Sequence, residues 1–426
     1  MRTSAAPPHS AAPPSDPSGP AAATPSVPAG GSVPDLAVVT EAQVHQLWDA
    51  LVTGTGVGPP AAAWTPLWQA MSAGSFPAPL AARPRRSTLA PTGVPLELSV
   101  SETADGQIRV RATTEPYADA TTLAERVRRQ AGQLEAVAAA AGIGHALAHH
   151  LARSLPAAAD LVTDRGRFGL WYSVGYGGVT PRAAGPVPVS ARGKSTHGAA
   201  ASLPVSARRR STRGAAAPVP TPTRGGREPD VLKVYLPPNF GPTPAADLVP
   251  PPVAPLVRAL LGRLSPSPVA TRAAVVGLVA RRSGRITVKA YHRVRQPMSA
   301  VEALDLLPGA RGRPELYAAL AGALPLAERG AVLGVEAPLG GDSAPVTTLY
   351  LPTAPLDPPT LGAGAVQRLA TALGVPGGAL KTAVSLAGHR AVPTMVGIRL
   401  AGVATLTYYF TAAVPRPVPT WSRRRT

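Results

Sequence analysis

Basic and tyrosine side chains recur at one fixed spacing in this chain, and the spacing is typical of one face of a β-strand. Two of the four lysines stand two residues before a tyrosine, in Lys233-Val-Tyr235 and Lys289-Ala-Tyr291. Because strand residues two apart share a face, each pair points the same way. Lysine offers a charged donor and tyrosine a neutral one, and together they suit phosphate oxygens.

Three more strands carry variants of the same pattern. On all five strands, the opposite face carries an aliphatic residue. The variants are Arg111 before Thr113, Thr348 before Tyr350 and Thr407 before Tyr409. The opposite face holds Val110, Val234, Val288, Leu349 and Leu406. On an exposed sheet face, such lysines and tyrosines would simply reach water. Their recurrence in a chain with so few of either favours an enclosed face that binds an anion such as a diphosphate.

The elements that position these residues are predicted to be five β-hairpins separated by helices. The hairpins cover 95–116, 167–178 with 231–238, 273–293, 331–353 and 391–412. The helical segments cover 36–53, 60–72, 120–155, 253–264, 300–306 with 314–323, and 363–374. Ten strands in an open sheet would leave edges to protect. We therefore expect an α+β fold: one closed antiparallel barrel with outer helices and a ligand chamber inside.

Three segments lie outside this single predicted domain of residues 36–415. Residues 1–35 are rich in Pro and Ala and are expected to be disordered, and 416–426 form a basic tail. Residues 182–228 contain a repeat, PVSARGKSTHGAAA followed by PVSARRRSTRGAAA, with nine bases and one acid. This segment supplies much of the net charge of +19. We interpret it as a disordered surface insertion rather than as a nucleic-acid contact.

Composition excludes several other classes of site. The chain has no cysteine, so disulfides, thiolate catalysis and cysteine-bound metals are excluded, and a cytoplasmic location is expected. No run of about 18 apolar residues is present, so we expect no membrane span. There is also no DDxxD motif of the kind that holds Mg²⁺ against a diphosphate.

Six ordered segments resemble the aromatic prenyltransferases of the ABBA fold, also called the PT barrel, and within them the bacterial dimethylallyltryptophan synthases. The segments are STLAPTGVPLELSVSE (87–102), IRVRATTEP (108–116), LKVYLPP (232–238), VKAYH (288–292), TTLYLPT (347–353) and LTYYF (406–410). The resemblance implies a ten-stranded barrel that encloses the active site. It also implies metal-independent transfer of a dimethylallyl group from its diphosphate to an indole such as tryptophan.

The resemblance assigns roles to particular residues. It makes Glu97 the catalytic acceptor of the indole N–H. It places the diphosphate against Arg111, Lys233, Tyr235, Lys289, Tyr291, Tyr350 and Tyr409. It lines the acceptor pocket with Leu89, Glu97 and Trp171. The chain departs from the family pattern at Thr287 in place of an arginine, Thr348 in place of a glutamine, and Thr407 in place of a tyrosine.

Some alternatives stay open at this level. The resemblance implies that the acceptor is an indole, and the alternative within the same class of enzyme is transfer to a phenol or tyrosine oxygen. A barrel that binds an anionic ligand or nucleic acid without catalysis is the third. The ring proton passes to water or to Glu97. The expected partners are an isoprenoid diphosphate and an aromatic small molecule, with no metal or other cofactor, no nucleic acid and no membrane, in a monomer or homodimer.

Overall fold

The structure is a computed structural model, and it describes most of the predicted domain. The described residues are 39–76, 87, 89, 93–161, 169–179, 228–240, 243–262, 271–294, 297–326, 330–341, 343–353, 361–389 and 391–413. The predicted tails at 1–35 and 416–426, and all but the last residue of the insertion at 182–228, lie outside these ranges. What the sequence indicates about them stays a prediction.

Ten of the twelve described strands form one closed antiparallel barrel. The strands are β1 Leu96–Thr103, β2 Ile108–Thr114, β3 Trp171–Val179, β4 Val231–Leu236, β5 Asn239–Phe240, β6 Thr243–Pro244, β7 Thr271–Arg281, β8 Ile286–Val294, β9 Val332–Pro338, β10 Val346–Pro352, β11 Ala391–Arg399 and β12 Thr405–Ala412. Their order around the barrel is β1-β12-β11-β10-β9-β8-β7-β4-β3-β2, and β5 pairs with β6 separately. The predicted fold of five hairpins closed into a barrel is confirmed.

Two helices precede each hairpin in the described chain. They are α1 Glu41–Thr55, α2 Ala61–Ser72, α3 Leu123–Ala141, α4 His145–Ala159, α5 Ala245–Leu248, α6 Ala254–Gly262, α7 Ala300–Leu304, α8 Pro314–Leu320, α9 Ala363–Ala372 and α10 Gly378–His389. The segment 120–155, predicted to be helical, forms two helices, because Gly142 and Gly144 both adopt left-handed conformations between them. Helices α5 and α10 and the small β5–β6 pair are absent from the sequence prediction. None of the described helices is both long and apolar enough to cross a bilayer.

The hydrophobic core lies between the barrel wall and the helices. The aliphatic residues predicted to face outward on the strands are all buried in this core: Val110, Val234, Val288, Leu349 and Leu406. Trp48 of α1 stacks on Trp64 of α2 with ring centroids 4.3 Å apart, and it also contacts Tyr176 of β3. Because the outer faces of the strands are used in this packing, the alternate residues must point into the lumen.

A buried ion pair joins the end of β2 to helix α3 and to the segment before β1. Nη1 of Arg126 lies 2.7 Å from Oε1 of Glu115, and both side chains are almost fully buried. The hydroxyl of Ser87 donates to the other carboxylate oxygen of Glu115 at 2.7 Å, and the amide of Leu89 donates to that hydroxyl at 3.2 Å. Removing either charged partner is expected to cost about 3–5 kcal/mol. The pair thus fixes the backbone that carries Leu89 at the barrel opening.

Candidate active site

The lysines of the K-x-Y pairs lie inside the barrel, and both are buried. The ammonium group of Lys289 donates to Oγ1 of Thr348 at 3.2 Å and lies 3.4 Å from a carboxylate oxygen of Glu336. Lys233 donates to the hydroxyl of Tyr291. Arg111 of β2 lines the same cavity. The structure therefore brings together the three bases that the sequence assigned to the diphosphate.

Three further arginines line this cavity, and the sequence prediction missed them. They are Arg109, Arg281 and Arg399, each at the end of its strand next to a hairpin turn. Arg109 has the strand parity of Arg111, so its inward direction could have been inferred from the sequence. In all, six basic and two acidic side chains line this basic end of the lumen, around a cavity of about 100 Å³. The acids are Asp230 and Glu336.

A belt of aromatic rings crosses the lumen next to the basic end. Successive ring centroids lie 5.7 to 6.0 Å apart in the order Trp171, Tyr235, Tyr291, Tyr350 and Tyr409. Each lysine lies against the rings: Nζ of Lys233 is 4.3 Å from the Tyr235 centroid, and Nζ of Lys289 is 5.3 Å from that of Tyr350. Burial raises the pKa of all four tyrosines, so their hydroxyls are neutral at ordinary pH.

Glycines in the first strand of three hairpins make room for these large side chains. They are Gly277, Gly334 and Gly397, each in register beside lumen-facing residues of both neighbouring strands. A Cβ on Gly334 would come within 2.6 Å of Cε of Lys289 and 2.9 Å of the Tyr350 ring. A Cβ on Gly277 would overlap with Cε of Lys233. The lumen is therefore built from large second-strand residues against first-strand glycines.

The other end of the lumen lies across the belt and is wider and more apolar; we call it the acceptor end, because the sequence predicts the acceptor pocket there. Its cavity of about 560 Å³ is lined by Leu89, Glu97 and Trp171 among others, so the three predicted acceptor-pocket residues meet there. Val275 and Met395 contribute apolar wall. A volume of this size is within the range of pockets that enclose a small organic ligand.

Glu97 is the buried carboxylate of the acceptor end. Burial raises its pKa to about 7, although the hydroxyl of Thr394 and the charge of Arg111 both favour the ionised form. Thr394 donates to Oε2 of Glu97 at 3.0 Å. The register of β11 shifts between Pro393 and Met395, and this irregularity surrounds Thr394 at the wall of the cavity.

The three threonines that depart from the family pattern have different surroundings. Thr348 accepts the hydrogen bond from Lys289, and Thr407 shares a hydrogen bond of 2.9 Å with Ser101. Thr287 is buried opposite Val279. Arg281 stands two residues beyond Val279 on β7, so a neighbouring strand supplies an arginine near the missing one.

The charged groups of the basic end shift one another's pKa values. Burial lowers the pKa of Lys233 well below its usual value, and the nearby Lys289 and Arg111 lower it further. Burial by itself would raise the pKa of Glu336, but Lys289, Lys233 and Arg281 outweigh it and hold that pKa at about 2. Within the described residues, no group of three or more His, Asp or Glu side chains is arranged to hold a metal ion.

Comparison with solved structures identifies the architecture. The 5-dimethylallyl tryptophan synthase from Streptomyces coelicolor, solved with DMASPP and Trp, superposes with a TM-score of 0.61, 17% identity, and coverage of 91% of this chain and 100% of that one. The prenyltransferase PriB, solved with L-tryptophan and dimethylallyl thiolodiphosphate, superposes with a TM-score of 0.59 and 18% identity, over 88% of this chain and 98% of that one. The fold is that of the ABBA prenyltransferases.

A third ABBA structure agrees with these two. The 6-dimethylallyltryptophan synthase from Micromonospora olivasterospora, in complex with DMASPP and Trp, gives a TM-score of 0.57 and 18% identity over 88% of this chain and 98% of that one. No protein-family model and no curated protein matches the chain. At these identities the likeness establishes the fold alone.

Proposed function

We propose that this protein is a metal-independent aromatic prenyltransferase that moves a dimethylallyl group from its diphosphate to an indole acceptor such as tryptophan. The observation that carries the proposal is the division of one lumen into three parts. A strongly basic end and an end with a single buried carboxylate lie on opposite sides of a belt of aromatic rings. Each part suits one component of the reaction.

The basic end suits the leaving diphosphate. Arg111, Lys233 and Lys289 neutralise the negative charge that grows on the diphosphate oxygen as the allylic C–O bond breaks, and the bound anion itself favours the protonated form of Lys233, whose pKa is lowered in the free protein. The bonding electrons leave with the diphosphate, and the allylic fragment becomes a cation. Among the described residues, Nε of Arg111 and Nε of Arg399 are buried without a hydrogen-bond partner, so both are donors available to phosphate oxygens.

The aromatic belt suits the cation that remains. Four tyrosine rings present their faces and edges around the position between the two ends, and access of water there is limited because three of them are buried and Tyr291 is half-buried. A desolvated cation gains about 2 kcal/mol from a well-placed ring. The belt therefore stabilises the allylic cation and protects it from capture by water.

The acceptor end suits an indole. Ionised Glu97 accepts a hydrogen bond from the indole N–H and stabilises the positive charge that develops on the ring as it attacks the allylic carbon. Loss of the proton from the attacked ring carbon, to water or to the Glu97 carboxylate, then restores aromaticity. Thr394 holds the carboxylate in place through its hydrogen bond to Oε2.

A turnover experiment tests the proposal. The purified chain is incubated with dimethylallyl diphosphate in EDTA, with tryptophan, tryptophan-containing dipeptides or tyrosine as acceptors, and the products are separated by mass spectrometry. We expect a monoprenylated indole product and undiminished turnover in EDTA. Absence of any prenylated product across the panel would overturn the proposal. Prenylation of tyrosine alone would support the proposed prenyltransferase activity but contradict the proposed indole acceptor.

A further inference from the structure

Glu336 is an acid among the bases of the diphosphate end, and the reaction described above gives it no task. It lies on β9, in register with Lys289 of β8. One carboxylate oxygen is 3.4 Å from Nζ of Lys289, and the other is 3.8 Å from Nη2 of Arg281. The side chain is 23% exposed, so it borders the open part of the cavity.

The position of this carboxylate is one that a phosphate group would also take. Lys289 belongs to the three bases predicted from the sequence, and Arg281 to the three further arginines next to the hairpin turns. An anion that contacted both side chains would bridge these two groups of bases. Glu336 is ionised at any ordinary pH, because its pKa is about 2 under the combined influence of the neighbouring bases. A permanent negative charge therefore occupies part of the diphosphate end.

We propose that Glu336 is an internal competing anion, which neutralises Lys289 and Arg281 in the free protein and weakens the hold of the basic end on inorganic diphosphate. This inference rests on the proposed function for the identity of the ligand. When the C–O bond breaks, the diphosphate gains one negative charge relative to the donor ester. With six bases and one further acid, Asp230, around it, the product would bind more tightly than the donor, and the fixed charge of Glu336 limits that gain because it repels the more highly charged product more strongly.

The test measures binding of inorganic diphosphate by titration calorimetry, without turnover. Glu336→Gln keeps the shape and removes the charge, and we expect its Kd to be at least about tenfold lower than that of the wild type. Glu336→Asp keeps the charge, and its Kd is expected to stay within about threefold of the wild type. Glu315→Gln is the matched control, because it removes the same charge from an exposed site on α8, and its Kd is expected to be unchanged.

A double-mutant cycle separates competition from a structural role. In a Lys289→Gln background, Glu336→Gln is expected to tighten diphosphate binding much less than in the wild type, because one of the two bases that Glu336 neutralises has gone. In turnover, the Glu336→Gln variant is expected to show stronger inhibition by added diphosphate.

Three results would overturn the inference. A Kd that is unchanged or higher in Glu336→Gln shows that the carboxylate positions Lys289 rather than competing for it. Equal tightening in Glu336→Asp and Glu336→Gln shows that charge is not the cause. If neither the wild type nor Glu336→Gln binds diphosphate, both the inference and the proposed function are contradicted, whereas tighter binding by Glu336→Gln without prenyl transfer contradicts only the proposed function.

Discussion

The two ends of the lumen solve different problems of recognition. The basic end is narrow, about 100 Å³, and six bases and two acids line it, so charge decides what enters. The acceptor end, at about 560 Å³, has a largely apolar wall around the carboxylate of Glu97, with Arg293 as the one base among its described lining residues, so shape and one hydrogen bond decide more than charge. We infer that the first end selects a reacting group common to all isoprenoid diphosphates. The second end then selects the ring that reacts.

Two glutamates of the same lumen show how position sets chemistry. Burial raises the pKa of Glu97 to about 7, because the nearby Thr394 and Arg111 only partly offset the loss of water. Four bases hold the pKa of Glu336 at about 2 despite its burial, namely Lys289, Lys233, Arg281 and Arg399. The first carboxylate can change its protonation state near neutral pH, and the second is a fixed charge.

The largest effect is expected from removing the carboxylate of the acceptor end. Glu97→Ala should lower kcat/KM for tryptophan by about 10³-fold, because the N–H of the attacking indole loses its acceptor and the developing charge loses its counter-ion. The affinity for diphosphate, measured separately, should change less than about threefold. Glu315→Ala on the exposed face of α8 is the control and should be neutral. Unchanged turnover of tryptophan in Glu97→Ala would show that the acceptor end binds its ligand in another way.

A smaller effect is expected from filling the space opposite the lysine of β4. In Gly277→Ala the new methyl group must displace the end of the Lys233 side chain, so we expect KM for the donor to rise about tenfold. The acceptor KM should change little, since the displaced side chain is that of Lys233, which lines the basic end. Gly132→Ala in α3, where an added Cβ meets no atom within 4 Å, is the matched control, expected to be neutral or slightly stabilising. Equal donor KM values in the two variants would contradict this view of the glycines.

The smallest effect is a dependence on pH that belongs to the acceptor end alone. Since Glu97 must be ionised to accept the N–H, kcat/KM for tryptophan should fall as pH decreases through about 7, approaching tenfold per pH unit. Glu97→Gln should abolish this limb of the profile. A wild-type profile that is flat between pH 6 and 8 would contradict the assignment.

The same group predicts the sign of a change in stability. The folded protein binds the Glu97 proton more tightly than the unfolded chain does, so this group's contribution to stability falls as pH rises from about 4.5 to about 7. At pH 8 the ionised, buried carboxylate costs about 3 kcal/mol, and Glu97→Gln should recover much of that in urea unfolding. At pH 4 the two proteins should be equally stable. A variant that is less stable than the wild type at pH 8 would contradict this sign.

Much of this site could be predicted from the sequence because it depends on the spacing of residues within single strands. Alternation along a strand fixes which residues share a face, so Lys233 with Tyr235 and Lys289 with Tyr291 were predicted to lie in the lumen. Arg109 follows from the same rule and was overlooked. The aliphatic outer faces identified the side that packs against the helices.

The rest could not be predicted because it depends on pairing between distant strands. Glu336 meets Lys289 only through the register of β9 on β8, and Arg281 approaches them from β7. Thr394 reaches Glu97 across almost 300 residues of sequence, through the irregular register of β11. Local periodicity contains no information about the stagger of strands in a closed barrel.

The most direct test of the account is a crystal structure of this protein with tryptophan and dimethylallyl thiolodiphosphate, an analogue with which PriB has been solved. We expect the diphosphate against Arg111, Lys233 and Lys289, the allylic carbons among the tyrosine rings, and the indole N–H within hydrogen-bond distance of Glu97. Both molecules in one lumen, in that order, would support the division into two ends. A diphosphate bound outside the basic end, or an indole turned away from Glu97, would contradict it.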